Sequence, residues 1–223
     1  MRRLTPHLLG LFFGVIFVLA LVGQAFAGWQ ALNAEQAADG LGTLSLGRYL
    51  TSSDFAVDVA ENWQSEYLQF LLYITATTWL LQRGSPESKG LGEAGLESDE
   101  EQRVGRFAGE DSPRWAAAGG WRTTVFSWSL TLVMGAIFLG SWLAQSIAGQ
   151  VAHNEDRLAA LQDPLSWKDY VLGADFWSRT LQNWQSEFLA VGSMAVLAIY
   201  LRQRGSPESK PVGASHDATG VEG

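Results

Sequence analysis

The 223-residue sequence has no cysteine and only three histidines, His7, His153 and His216. Without cysteine there can be no disulfides, thiolate zinc sites, cysteine-ligated iron–sulfur clusters or cysteine nucleophiles. No two histidines are spaced to share a helix face, so neither a metal site nor a cofactor is expected. Charge is also scarce, at 17% of residues against roughly 25% in ordinary soluble domains. The net charge of −8 excludes a nucleic-acid binder, which needs a basic surface against phosphate. A glycine-rich phosphate loop is excluded too, because G-x-x-x-x-G-K-[ST] does not occur.

Apolar residues fill most of that space. The mean hydropathy of +0.03 averages four long apolar stretches with the charged segments between them. Ten tryptophans suit a membrane interface, where an indole keeps its N–H hydrated. The first stretch, about residues 8–27, and the third, about 125–148, are long enough at 1.5 Å per residue to cross a hydrocarbon layer of about 30 Å. The second and fourth have shorter uncharged cores, Tyr67–Leu81 and Phe188–Leu201, covering only about 22 Å. To span, they must take in the preceding NWQSE segments, which sets them at about 62–82 and 183–202.

Basic residues orient these segments. Arg2 and Arg3 precede the first stretch and Arg83 and Lys89 follow the second. Arg114 and Arg122 precede the third, and Arg202, Arg204 and Lys210 follow the fourth. Lysine and arginine collect on the cytoplasmic side, so both termini and the central linker read as cytoplasmic. The segments near 28–61 and 149–182 then read as extracytoplasmic. A cleaved signal peptide ending at Ala25-Phe26-Ala27 is the competing reading of residues 1–27, but the apolar run exceeds the usual 7–15 residues.

The chain also repeats itself. At an offset of 121 residues (Asn33 onto Asn154), Asn62–Glu66 (NWQSE) meets Asn183–Glu187, and Gln82–Lys89 (QRGSPESK) meets Gln203–Lys210. Asp54-Phe55 meets Asp175-Phe176, and Tyr49 meets Tyr170. Gly14, Ile16, Phe17, Gln24, Ala27 and Gly28 meet Gly135, Ile137, Phe138, Gln145, Ala148 and Gly149. Because residues 1–27 belong to this repeat, they read as a retained helix. The expectation is an all-α polytopic membrane protein with four transmembrane helices, arranged as two tandem parallel repeats. These are residues 1–89 and 122–210, with a flexible acidic linker at 90–121 and a disordered tail at 211–223. Same-direction repeats imply a pseudo-twofold axis along the membrane normal, unlike the inverted repeats of many transporters.

On the doubled N-W-Q-S-E and R-G-S-P-E-S-K motifs the chain resembles a bacterial family of four-helix integral membrane proteins of unknown function. The resemblance covers nearly the whole chain. It implies fold and location in the cell membrane, and no functional residue.

Asn62 and Glu66 are spaced to share one helix face, and Glu66 would lie about 25 Å from Arg83 along a continuous helix. Gln24 falls at similar depth, and Gln145, Asn183 and Glu187 repeat the set. The first reading is that Trp63 and Trp184 anchor the interface while Asn and Glu sit in hydrated headgroups; the alternatives are two quasi-equivalent polar sites taking a cation, a proton or a small polar ligand, or interhelical hydrogen bonds without a ligand. Arg83, Gly84 and Pro86, with Arg204, Gly205 and Pro207, read as helix C-caps at the cytoplasmic boundary. Ser85 and Ser206 offer phosphorylation as the alternative. Gly10 and Gly14, with Thr131 and Gly135, suggest close packing of the first and third helices, or dimerisation. Ser53 or Asp54, and Asp175, are expected N-caps, and Ala31–Ala38 and His153–Leu161 read as helical extensions.

The function favoured is a structural or partner-binding role in the cell envelope, with lipid and a membrane-protein partner or second copy as contacts. A small transporter or channel is the second reading. A membrane enzyme is the third; Glu66, His153, Asp156, Asp163 and Asp175 could supply carboxylate chemistry but form no recognised catalytic set.

Overall fold

The computed structural model describes residues 7–221; Arg2 and Arg3 lie outside them. The described residues are helical, with no strand. The helices are α1 (Leu8–Ala38), α2 (Leu46–Tyr49), α3 (Ser53–Ala76), α4 (Arg114–Ala117), α5 (Gly120–Ser127), α6 (Ser129–Ala159), α7 (Trp167–Leu172) and α8 (Ala174–Tyr200). A 3-10 turn lies at Gly105–Phe107. Both α1 and α6 have 31 residues, about 46 Å of helix. These two helices are long and apolar enough to cross a membrane.

The expected spans match these helices only in part. The helical extensions Ala31–Ala38 and His153–Leu161 form as continuations of α1 and α6. The third span begins later than expected because Trp128 breaks the helix (φ −107°, ψ 7°) and separates α5 from α6. α3 stops at Ala76 instead of running to residue 82. The run Thr75-Ala76-Thr77-Thr78 explains this stop. The three threonine hydroxyls donate to Leu71 O, Tyr73 O and Ile74 O, which weakens a helix. The Thr78 carbonyl then accepts from Gly95 N–H at 2.7 Å. Arg83 therefore does not continue the helix of Glu66, and the 25 Å depth expected for Glu66 does not hold. α8 reaches Tyr200, where the Arg202 guanidinium donates to Ala198 O, Ile199 O and Leu201 O.

The N-caps also differ. Ser52 Oγ accepts from Phe55 N–H at 3.3 Å, so Ser52 takes the role expected of Ser53 or Asp54. Gly173 precedes α8, which puts Asp175 inside the first turn, where its charge complements the helix dipole.

The chain folds as two compact units. The first comprises residues 1–60 and 144–171. Tyr49, Val57 and Tyr170 are its most buried large apolar side chains, each 2% exposed. Burial pushes the Tyr49 phenol above its usual range, and Asp58 and Asp54 add to the shift. Its hydroxyl lies against Gly28, where an added Cβ would stand 2.1 Å away. Tyr170 lies against Gly149 in the same way, at 2.4 Å. The loops after α1 and α6 are each held by an asparagine. Asn33 donates to Leu44 O at 3.1 Å and accepts from Leu44 N–H at 2.6 Å. Asn154 makes the same two bonds with Leu165, at 3.0 and 2.7 Å. Each side-chain amide thus imitates a backbone partner.

Both helices end in one hydrogen-bond pattern: Leu41 N–H bonds Gln36 O, and Gln162 N–H bonds Arg157 O. Such an end needs a left-handed residue. Gly40 supplies it at φ +74°, but Leu161 stands in the other copy at φ +57° with its side chain 96% exposed. A non-glycine residue costs about 1–2 kcal/mol in this conformation. Leu161→Gly is therefore expected to stabilise the protein by about 1 kcal/mol, after glycine's own entropic cost. Denaturant unfolding of the purified protein measures this, and no shift in midpoint would contradict the strain.

The second unit comprises residues 61–143 and 172–223. Within it Gly135 packs on Leu71 of α3.

Candidate functional site

Within the second unit the two NWQSE motifs meet each other. Arg179 Nε donates to Glu61 Oε2 at 2.9 Å. Further along, Trp184 Nε1 donates to Gln64 Oε1 at 2.8 Å. Glu187 then faces both the Ser65 hydroxyl and the Glu66 carboxylate. Residue numbers rise together along the two helices, so α3 and α8 run parallel in this stretch.

Glu66 and Glu187 thus belong to one constellation, while Gln24 and Gln145 lie in the first unit. Asn62 is exposed, and Asn183 Nδ2 donates back to Arg179 O in its own helix. Gln145 is fully buried and Gln24 half-buried. Trp63 is 41% exposed, whereas Trp184 is half-buried and holds Gln64.

Gln64, which sequence reasoning did not single out, is the best-buried member of its motif at 0% exposure. An indole N–H only donates, so Trp184 forces the amide oxygen toward itself and turns the Gln64 NH2 away. That Nε2 has no partner among the described residues, and neither does Trp142 Nε1, although both are buried. Trp142 packs among four aromatic rings: it stacks on Phe138 and Phe176, and its ring centroid lies 5.9 Å from those of Trp177 and Trp184. Each unpaired buried donor costs about 1–3 kcal/mol. No sequence signal singled out Gln64, since Asn62 is an uncharged amide of the same motif. The cluster can receive a hydrogen-bond acceptor against aromatic faces. No group of metal-ligating side chains occurs among the described residues.

The RGSPESK motifs form self-closing turns. Gln82 N–H bonds Ser88 Oγ at 3.0 Å and Gln203 N–H bonds Ser209 Oγ at 2.9 Å. Ser85 and Ser206 accept from Glu87 N–H and Glu208 N–H. Gly84 (φ +83°) and Gly205 (φ +79°) are left-handed as expected. Because α3 and α8 have already ended, these glycines close a turn and do not cap a helix. Pro86 and Pro207 fall in the same turns, as do Arg83 and Arg204. Each motif ends in a lysine that grips the following chain: Lys89 Nζ donates to Gly95 O at 2.7 Å, and Lys210 Nζ to Ser215 O, His216 O and Ala218 O. Burial lowers the Lys210 ammonium's pKa below its ordinary value, with Arg202 adding to the effect. The tail crosses the first motif, with Gly84 N–H bonding Thr219 Oγ1 and Gly220 N–H bonding Ser85 O. Ser85 is left 2% exposed, which closes it to a kinase in this arrangement.

Together these features define an all-helical protein carrying two helices of membrane-crossing length and a buried polar–aromatic cluster between parallel helices. The chain belongs to the family described as a domain of unknown function, DUF6766, whose model matches residues 1–221. No curated protein and no solved structure matches it.

Proposed function

We propose that the protein is a multi-pass bacterial cell-membrane protein that works by binding a partner, with both termini cytoplasmic. Four helices cross the bilayer in this reading, as two parallel helix pairs. Support for the membrane comes first from α1, whose most apolar 18-residue stretch is only 6% buried. Phe12, Phe13, Ile16, Phe17 and Leu19 are all exposed, an apolar surface of the kind that marks a membrane or protein contact. The duplication is supported by bonds that recur at the sequence offset: the asparagine clamps, the tyrosine–glycine contacts and the lysine-closed turns. Parallel α3 and α8 agree with repeats of one direction.

The observation that carries the binding role is the two buried donors without partners among the described residues, Gln64 Nε2 and Trp142 Nε1. Two buried donors without acceptors suit recognition better than catalysis. A photo-crosslinking residue at position 63, on the exposed side of α3, tests this in native membranes. A discrete protein adduct lost in Gln64→Leu is expected; adducts to lipid alone would contradict it.

The transporter reading is favoured by one feature, the facing Glu66 and Glu187 carboxylates, which resemble an exchange site for a cation or proton. Flux in proteoliposomes that falls on replacing both with glutamine would support transport. A binding protein is expected to give no flux in either form.

A further inference from the structure

A cavity of about 770 Å³ lies within the second unit, in the size range of small-molecule sites. Its walls are the end of α3, the 96–113 segment, and residues of α5 and the start of α6. Seven hydroxyls line it, and the protons of five are committed elsewhere. Thr75 donates to Leu71 O, Thr78 to Ile74 O, Thr123 to Trp115 O, Thr124 to Gly120 O and Ser127 to Thr123 O. A hydroxyl has one proton to give, so these five oxygens present only lone pairs to the cavity. Two carboxylates, Glu97 and Asp99, join them against one guanidinium, Arg103. Glu97 already holds Lys89 and Gln102. Asp99 has no side-chain partner among the described residues. Trp128 and Phe126 add aromatic faces, which attract cations.

We propose that this cavity binds a protonated amine. An ammonium brings three donors and a positive charge, matching walls that are rich in acceptors and hold the Asp99 carboxylate. An anion fits badly, since five of the seven hydroxyl protons are spent and two carboxylates oppose it. Asp99 supplies the charge partner, and the aromatic wall receives the amine's apolar body. Arg103 adopts a left-handed backbone (φ +51°), a strained conformation of the kind that gathers at binding sites.

Calorimetric titration of the full-length protein in detergent tests this, with phenethylammonium as probe, 2-phenylethanol as its neutral counterpart and inorganic phosphate as the opposite charge. Saturable binding of the ammonium alone is expected, weakened about tenfold by Asp99→Asn, in line with the loss of one charge-assisted hydrogen bond. Asp111→Asn removes the same charge outside the cavity and is expected to change nothing. Absence of saturable ammonium binding, equal binding of the alcohol, equal weakening by both variants, or saturable phosphate binding would each overturn the proposal.

Discussion

Gly28→Ala is expected to destabilise the protein by about 2 kcal/mol, within the usual range for overpacking a filled core. Helix propensity alone predicts the opposite sign, a gain of up to about 1 kcal/mol for replacing glycine inside a helix. The contact decides between them. A Cβ at position 28 would stand 2.1 Å from Tyr49 Oη and 3.0 Å from Cζ. Tyr49 is 2% exposed and packs on Phe55 at 5.4 Å between ring centroids, so the ring has no free space to move into. Tyr49→Phe removes the closest atom, so the double variant is expected to recover part of the loss. Thermal unfolding of the two single variants and the double variant measures the coupling. Additive losses would show that the hydroxyl and the glycine do not meet.

The second large effect is expected at Asn33. Replacing it with alanine leaves Leu44 N–H without its acceptor, at a cost of about 1–3 kcal/mol. The carbonyl side is protected, because Trp29 Nε1 also donates to Leu44 O at 2.7 Å. Asn154→Ala is expected to behave alike, since Gln150 Nε2 covers Leu165 O at 2.9 Å. Residues 29 and 150 differ in type yet donate to corresponding carbonyls. A further substitution, Gln150→Ala in the Asn154→Ala background, is expected to add loss by exposing the carbonyl as well. Denaturant unfolding of the single and double variants reads this directly. A double variant no worse than Asn154→Ala would contradict the shared role.

Much of this local structure was legible in the sequence, because the 121-residue offset marks positions whose partners are also duplicated. Gly28 with Tyr49 and Gly149 with Tyr170 were matched as identities, and the contact between them explains why small and large recur together. Asn33 and Asn154 were matched likewise, without any hint that each clamps its own loop. The end of α3 was hidden for a different reason. An apolar run through Leu81 satisfies a hydropathy rule, but the rule does not register threonine hydroxyls bonding back onto their own helix, or Gly95 capturing the Thr78 carbonyl. The left-handed glycines of RGSPESK were legible as conformations while their place in a lysine-closed turn was not. That turn depends on Gly95 and His216, outside the motif. The polar site was read from charge and helix spacing, which favoured Asn62 and Glu66. Burial instead selected Gln64, because its α3 position faces Trp184, and such a choice depends on how α8 packs.

The proposed topology, four membrane crossings in two parallel pairs, can be tested by labelling. The chain's lack of cysteine makes such an experiment clean. Single cysteines at Gly42, Glu110, Asp163 and Val212, all exposed, can be probed in intact cells with a maleimide that does not cross membranes. The account predicts labelling at positions 42 and 163 from outside, and at 110 and 212 only after the membrane is opened. If α1 and α6 alone crossed, positions 42 and 110 would share one side and 163 and 212 the other. Finding 42 and 163 on opposite sides would contradict the four-span reading.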